Sequence, residues 1–303
     1  MTTPGLAARR GAALVLAATA LFGTIGTARA LGPDVAALPV VAARSALASA
    51  LLAAVAVTVA VRTAGRTYVG VHQALSTPSV WIAAVTQAGF QWCFLAAVPR
   101  VGVAVGTLLA IGATPLIAGA LSRRADRRWL AATGIGLVGL VLLVGVGPLP
   151  DPIGLSLAFG AAVCYAIYLV AGNGIAAAQD RTGLRIETIL AVVFTLVAVL
   201  LLVPALATGP WAWLPTTSGL AMTTYLAVVA TVIAYSLLNR GLRVVPAGTA
   251  ATLGLTEPVV ATVLGIVLLG ERLTPVSTVG AALVLVAVLV LVRAPAPLTS
   301  DAR

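Results

Sequence analysis

Long apolar stretches, punctuated by Pro, Gly and Arg, recur along the whole chain. They fall near 11–31, 36–60, 79–98, 101–121, 129–147, 153–174, 187–207, 217–239, 247–269 and 276–292. Each is close to or above the roughly 18 residues that cross a hydrocarbon core of about 30 Å at 1.5 Å per residue. Only helices and closed barrels satisfy the backbone in lipid. These stretches are too long and too continuously apolar for alternating barrel strands of about ten residues. The connections at 98–100 and 148–152 are too short to hold a soluble domain. The pattern therefore predicts an all-α integral membrane protein with ten transmembrane helices.

Composition agrees and adds an orientation. Of 303 residues, 61% are hydrophobic and 9% charged, and mean hydropathy is +1.12, whereas soluble domains are about a quarter charged. The solvent partner is a lipid bilayer. A net charge of +10 would suit nucleic acid, but all 18 basic residues are arginine, set in short clusters between apolar runs without a contiguous basic domain. With the amino terminus inside, 14 of the 18 lie on the inner side, and Arg29, Arg100 and Arg272 on the outer, with Arg44 within a span. Basic residues favour the cytoplasmic side, so a multi-pass protein with both termini cytoplasmic is expected. Ala28-Arg29-Ala30 looks like a signal-peptide cleavage site after the first span. The internal repeat described next pairs that span with a later one and speaks against cleavage. Cys93 and Cys164 lie inside apolar runs and read as small buried hydrophobes, and His72 as a solvated residue in a connection. No cofactor or metal site is expected from these residues.

Sliding the sequence over itself by 143 positions sets Phe22 on Tyr165, Trp92 on Tyr235, Arg100 on Arg243, Arg44 on Glu187 and Pro115 on Pro258. GTLLAIGATPLIA at 106–118 lies over TAATLGLTEPVVA at 249–261. Each half, 1–147 and 148–303, holds five spans, so the second enters the membrane from the other side. Two inverted-topology five-helix repeats are expected, an arrangement common in secondary transporters with a site near the midplane.

The segment LTEPVVATVLGIVLLGERLTP at 255–275, followed by an apolar run, resembles the last two helices of the EamA family in the drug/metabolite transporter superfamily. Its Glu257-Pro258 and Gly270-Glu271-Arg272 match that family's signature. Arg44 resembles the arginine that opens the family's second helix, and Pro115 the proline of its fourth. SRRADRR at 122–128 departs from the Gly-Glu-Arg turn of many first halves. The resemblance implies a ten-helix carrier of the bacterial inner membrane, assigned to metabolite or drug efflux, with a central cavity between the repeats. It does not name the substrate.

The polar residues within spans are the candidate site. Glu257 lies about ten residues into the ninth span, near the midplane, where a charge costs a few kcal/mol. Two readings stay open for it: a carrier of a coupling proton, or a neutral or ion-paired residue at the kink of Pro258. Arg44, about 12 Å deep, does not neutralise, and so pairs with an acid, snorkels to the surface or holds a substrate carboxylate. Gln87 and Gln91 share one helix face, as do Tyr235 and Asn239, and serve as interhelical hydrogen bonds or as substrate contacts. Tyr165 and Tyr168 either line a cavity or pack the core. Pro115 and Pro258 are helix-break candidates, and Gly102 with Gly106 reads as a close helix contact.

A small-molecule carrier is the function these features favour. An intramembrane enzyme finds no HExxH, GxSxG or paired aspartates in the sequence. A channel finds no carboxylate ring. A non-transporting scaffold stays open, as does import against export.

Overall fold

The computed structural model describes residues 4–62, 67–123, 126–145, 151–270, 272 and 274–293. Glu271 of the Gly-Glu-Arg turn, Arg66, Arg124, Arg303 and most of the 148–152 connection lie outside them. Among the described residues, ten helices are long and apolar enough to cross a membrane: Leu6–Ala30, Ala37–Val59, Pro78–Val103, Val105–Ser122, Arg127–Val144, Pro152–Arg181, Ile186–Ala207, Thr217–Gly241, Ala247–Leu269 and Pro275–Val292. Among the described residues there is no strand. With ten crossings both chain ends lie at one face, the terminal face. The other is the distal face.

Local chemistry sets the ends. Asp126 caps the fifth span by accepting from the Trp129 N–H at 2.6 Å, and Asp151 caps the sixth by accepting from the Ile153 N–H at 3.1 Å. Thr216 and Thr274 do the same for the eighth and tenth through the Gly219 and Ser277 N–H groups. The 67–75 connection, which carries His72, is itself a short helix, Thr67–Leu75, with His72 exposed.

Pairs of spans pack through glycine. The third and sixth run antiparallel over their whole length, with Ser79 beside Gly174, Cys164 on Gly89, Cys93 on Gly160 and Arg100 on Gly154. The first packs on the eighth where Gly241 meets Val15, and on the ninth where Gly23 meets the Glu257 carbonyl. The fifth and tenth close on Gly139 and Gly280. A Cβ on Gly280 would stand 2.3 Å from the Leu143 nitrogen. The second and seventh are joined by Ser49 and Thr195 hydroxyls 2.7 Å apart, the first and ninth by Thr19 and Thr256 at 2.9 Å, and the fifth and ninth by Thr133 and Thr252 at 2.9 Å.

Four expectations are corrected. Helix continues from Pro78 to Ser122 through both Pro99 and Pro115, and its one non-helical residue is Gly102, with φ 78° and ψ 160°. Pro115 is therefore no break, and the third and fourth spans part at Gly102 because the reversal needs a positive φ that only glycine adopts freely. Gly102 has open space around it and Gly106 faces only Val98 and Val101 of the same hairpin, so neither forms a close contact between distant helices. The two cysteines are partly exposed rather than buried, each seated on a glycine of the other's helix. Arg44 does not snorkel: its relative exposure is 7%, deep in the second span.

Three further departures from regular helix shape the interior. The first span breaks at Thr24, between Pro4–Gly23 and Ile25–Ala30. The ninth breaks at Leu255, between Ala247–Gly254 and Thr256–Leu269. Pro258 explains that break, since it offers no N–H to the carbonyl four residues before it. The eighth contains a π-helical stretch, Val228–Ile233.

Candidate functional site

Glu257 stands in the first turn of the half-helix Thr256–Leu269, directly before Pro258. Its neighbours Thr256, Pro258 and Val259 are buried, while Glu257 itself keeps accessible surface. Arg44 comes from the second span, Tyr235 from the eighth and Tyr165 from the sixth. Glu257 lies within electrostatic reach of all three, and Arg44 within reach of Tyr235. The described ion pairs, Arg100 with Asp151, Arg185 and Arg240 with Glu187, and Arg243 with Asp180, all stand at span ends. Arg44 and Glu257 form none with each other. An unneutralised arginine and a glutamate thus share one interior region, an arrangement that costs desolvation unless water or a ligand reaches it.

An amide and phenol network forms one wall. Gln87 Nε2 donates to Tyr235 Oη at 2.6 Å, joining the third and eighth spans. Asn239 Nδ2 donates to Tyr168 Oη at 3.0 Å and to the Tyr235 carbonyl at 2.9 Å. The other oxygens of these amides, Gln87 Oε1 and Asn239 Oδ1, are buried without a hydrogen-bond partner among the described residues. Rings complete the wall: Phe22 and Phe194 each stand 4.9 Å from Tyr235, Tyr168 stands 5.7 Å from it, and Tyr165 lies 5.1 Å from Phe90.

The structure thus brings together Arg44, Glu257, Gln87, Tyr165, Tyr235 and Asn239 from five spans. Gln91, one turn beyond Gln87, is buried with no described hydrogen-bond partner. Pro258 is beside the site through Glu257, and Pro115 is not part of it. Phe22, Phe194 and the Thr19–Thr256 pair were missed by the sequence reading. The isolated aromatic Phe194 in an otherwise aliphatic seventh span was the one usable signal. Asn173 was missed too: its Nδ2 donates to the Leu242 and Val245 carbonyls at 2.5 and 3.1 Å, and its Oδ1 accepts from the Ala247 N–H. It holds the turn between the eighth and ninth spans, and so helps set where Tyr235 and Glu257 sit.

A cavity of about 360 Å³ opens at the distal ends of the first, eighth and ninth spans, lined by Thr24, Met222, Tyr225, Leu264 and Leu268 among others. Tyr225 Oη donates to Thr24 Oγ1 at 2.9 Å across it. Thr24 in its lining follows Gly23, the residue packed on the Glu257 carbonyl.

Residues 152–293 match the model of the EamA-like transporter family. Over 288 residues, 93% of each chain, the sequence is 35% identical to the uncharacterized transporter YwfM of Bacillus subtilis (strain 168). The chain belongs to the EamA-like transporter family. A more distant relative is the threonine/homoserine exporter RhtA of Escherichia coli (strain K12), 29% identical over 197 residues, 63% of each chain. A solved crystal structure, 20% identical to this chain, superposes on it with a TM-score of 0.77 over 92% of this chain and 95% of that one, a likeness of fold. This EamA-family chain is a multi-pass membrane transporter with bacterial relatives.

Proposed function

We propose that the protein is a secondary carrier exporting a small zwitterionic metabolite, of amino-acid type, across the bacterial cytoplasmic membrane by alternating access. The observation that carries this reading is the pair Arg44 and Glu257, opposite charges in one interior region with no ion pair between them. A guanidinium suits a carboxylate, and a carboxylate suits an ammonium group. The name of RhtA supports the same class. At Glu257 the substrate ammonium and a proton compete for one carboxylate, so the emptied site returns with a proton and export draws on the proton gradient.

Alternating access takes place between two inverted repeats, 1–147 and 148–303. The helix partners support this. Exchanging the halves turns the third–sixth pair into the eighth–first pair and maps second–seventh and fifth–tenth onto themselves, as a two-fold axis in the membrane plane requires. The arginine count supports an orientation with both termini in the cytoplasm.

Proteoliposomes test the reading. Vesicles preloaded with unlabelled threonine or homoserine should take up the labelled compound by counterflow, and Arg44→Ala should abolish it. Glu257→Gln should keep the wild-type melting curve in detergent while losing pH-gradient-driven accumulation. Wild-type gradient-driven transport by a folded Glu257→Gln protein would remove Glu257 from coupling. Counterflow of amines lacking a carboxylate, with amino acids inert, would overturn the zwitterion.

A further inference from the structure

At the terminal face, away from the interior site, a second cavity of about 310 Å³ is lined by Gln179, Leu184, Arg185, Ile186, Glu187, Arg240 and Arg243. Its guanidinium groups come from three places: Arg185 before the seventh span, Arg240 at the end of the eighth, and Arg243 in the turn that follows. All three are about half exposed. Among the described residues, the lining holds one carboxylate against them. Glu187 takes Arg240 at 2.8 Å and Arg185 at 3.8 Å, while Arg243 pairs with Asp180 outside the lining. Two arginines sharing one carboxylate leave guanidinium N–H groups free to bind more.

A helix start stands at the cavity. The seventh span's helix, Ile186–Thr208, begins here with Arg185 as its N-cap, no side chain capping it and Glu187 in its first turn, and Arg185, Ile186 and Glu187 all line the cavity, which brings the positive end of the helix dipole to it. Gln179, 6% exposed, anchors its amide on the Leu184 carbonyl at 3.1 Å and lines the cavity beside it. Next to Arg243 in sequence, Val244 presents an exposed apolar side chain, as residues facing acyl chains do.

We propose that this cavity binds the phosphate of an anionic phospholipid headgroup from the leaflet at the terminal face. Phosphate chemistry is set by convergent arginines above an uncapped helix start. The lipid source is set by place: the cavity lies where three spans leave the membrane, at headgroup level, and basic pockets between spans at such a face take anionic lipid headgroups. A bound headgroup would tie the sixth, seventh and eighth spans together at this face.

The test uses purified full-length protein in nanodiscs of phosphatidylglycerol or phosphatidylcholine, with lipid retention read by native mass spectrometry and stability by melting. Wild type should retain phosphatidylglycerol preferentially and melt higher in it. Arg185→Gln and Arg243→Gln should each lose roughly fivefold in that preference, the factor matching about 1 kcal/mol per surface arginine. Glu187→Gln, which removes the competing carboxylate, should hold or strengthen it, whereas a merely structural cluster would lose stability with no change in lipid choice. Arg127→Gln with Arg293→Gln, two exposed arginines elsewhere at the terminal face, should leave the preference intact. Equal retention of both lipids, or an unchanged preference in Arg185→Gln and Arg243→Gln, overturns the proposal. So does equal stabilisation of phosphatidylcholine nanodiscs by 10 mM inorganic phosphate at constant ionic strength, which would assign the cavity to a soluble phosphate.

Discussion

Gln87 on the third span donates its amide N–H to the phenol of Tyr235 on the eighth, at 2.6 Å and with both side chains buried. The bond crosses between the halves of the chain, in the aromatic wall beside Arg44 and Glu257. Interhelical hydrogen bonds in membranes average about 0.6 kcal/mol and reach about 1.7. A double-mutant cycle of Gln87→Leu and Tyr235→Phe, read from melting in detergent, should give a coupling energy at the upper end of that range, because Gln87 Oε1 already lacks a partner. Strictly additive single effects would show that the bond contributes nothing.

Gly280 should tolerate no larger side chain. A Cβ there would meet the Leu143 nitrogen at 2.3 Å and the Gly139 carbonyl oxygen at 2.6 Å, both backbone atoms that cannot swing aside. Gly280→Val should cost about 1–3 kcal/mol or more, the usual range for overpacking, and lower the melting temperature. Gly134→Ala, with open space at its Cβ, should be close to neutral.

At the distal face Arg100 donates to Asp151 at 2.7 Å, and the Ile153 N–H adds a second hydrogen bond. The Arg100 guanidinium first, and that N–H second, hold the Asp151 carboxyl below the ordinary aspartate range. A depressed folded-state value means that the stabilisation is complete above the ordinary aspartate pKa near 4 and is lost as the pH falls through the depressed value. Melting temperatures between pH 7 and pH 2 should show an acid limb that Asp151→Asn flattens. The effect is small, since both groups are partly exposed. An unaltered limb would place the acid sensitivity elsewhere.

Reporter fusions check the orientation. Alkaline phosphatase at the carboxyl terminus should be inactive and green fluorescent protein fluorescent, as cytoplasmic ends require. An active phosphatase would reverse the cytoplasmic assignment of the terminal face.

The ten spans were legible because lipid demands long apolar runs and arginine marks their ends. The site residues were legible one by one for the opposite reason, since an amide, an acid or a guanidinium within such a run needs an explanation. Their partners were not. Gln87 and Gln91 are equivalent in sequence, yet packing sets only Gln87 against Tyr235. The break between the third and fourth spans was read at Pro99-Arg100, although helix runs through both and reverses at Gly102. Proline marks a weakness in a helix, and the positive φ of a glycine marks the turn. In the ninth span Pro258 did coincide with a break, because Leu255 lies within the turn whose hydrogen bond that proline removes. The facing of Cys93 and Cys164 was hidden as well, since each glycine seat lies on the other's helix.

The π-helical stretch Val228–Ile233 carries one residue more than an α-helix of the same height would hold. Wound as α-helix, the same residues would carry the remainder of the span about 100° further round, so Tyr235 and Asn239 owe their bearing toward Gln87 and Tyr168 to the wider turn upstream of them. Rewinding the stretch as α-helix with every residue kept would yield a more regular eighth span and a blind one, its phenol and amide swung off the aromatic wall, whereas excising a single codon as well would bring them back to it. In this stretch it is the winding of the chain, more than the identity of its residues, that aims the site.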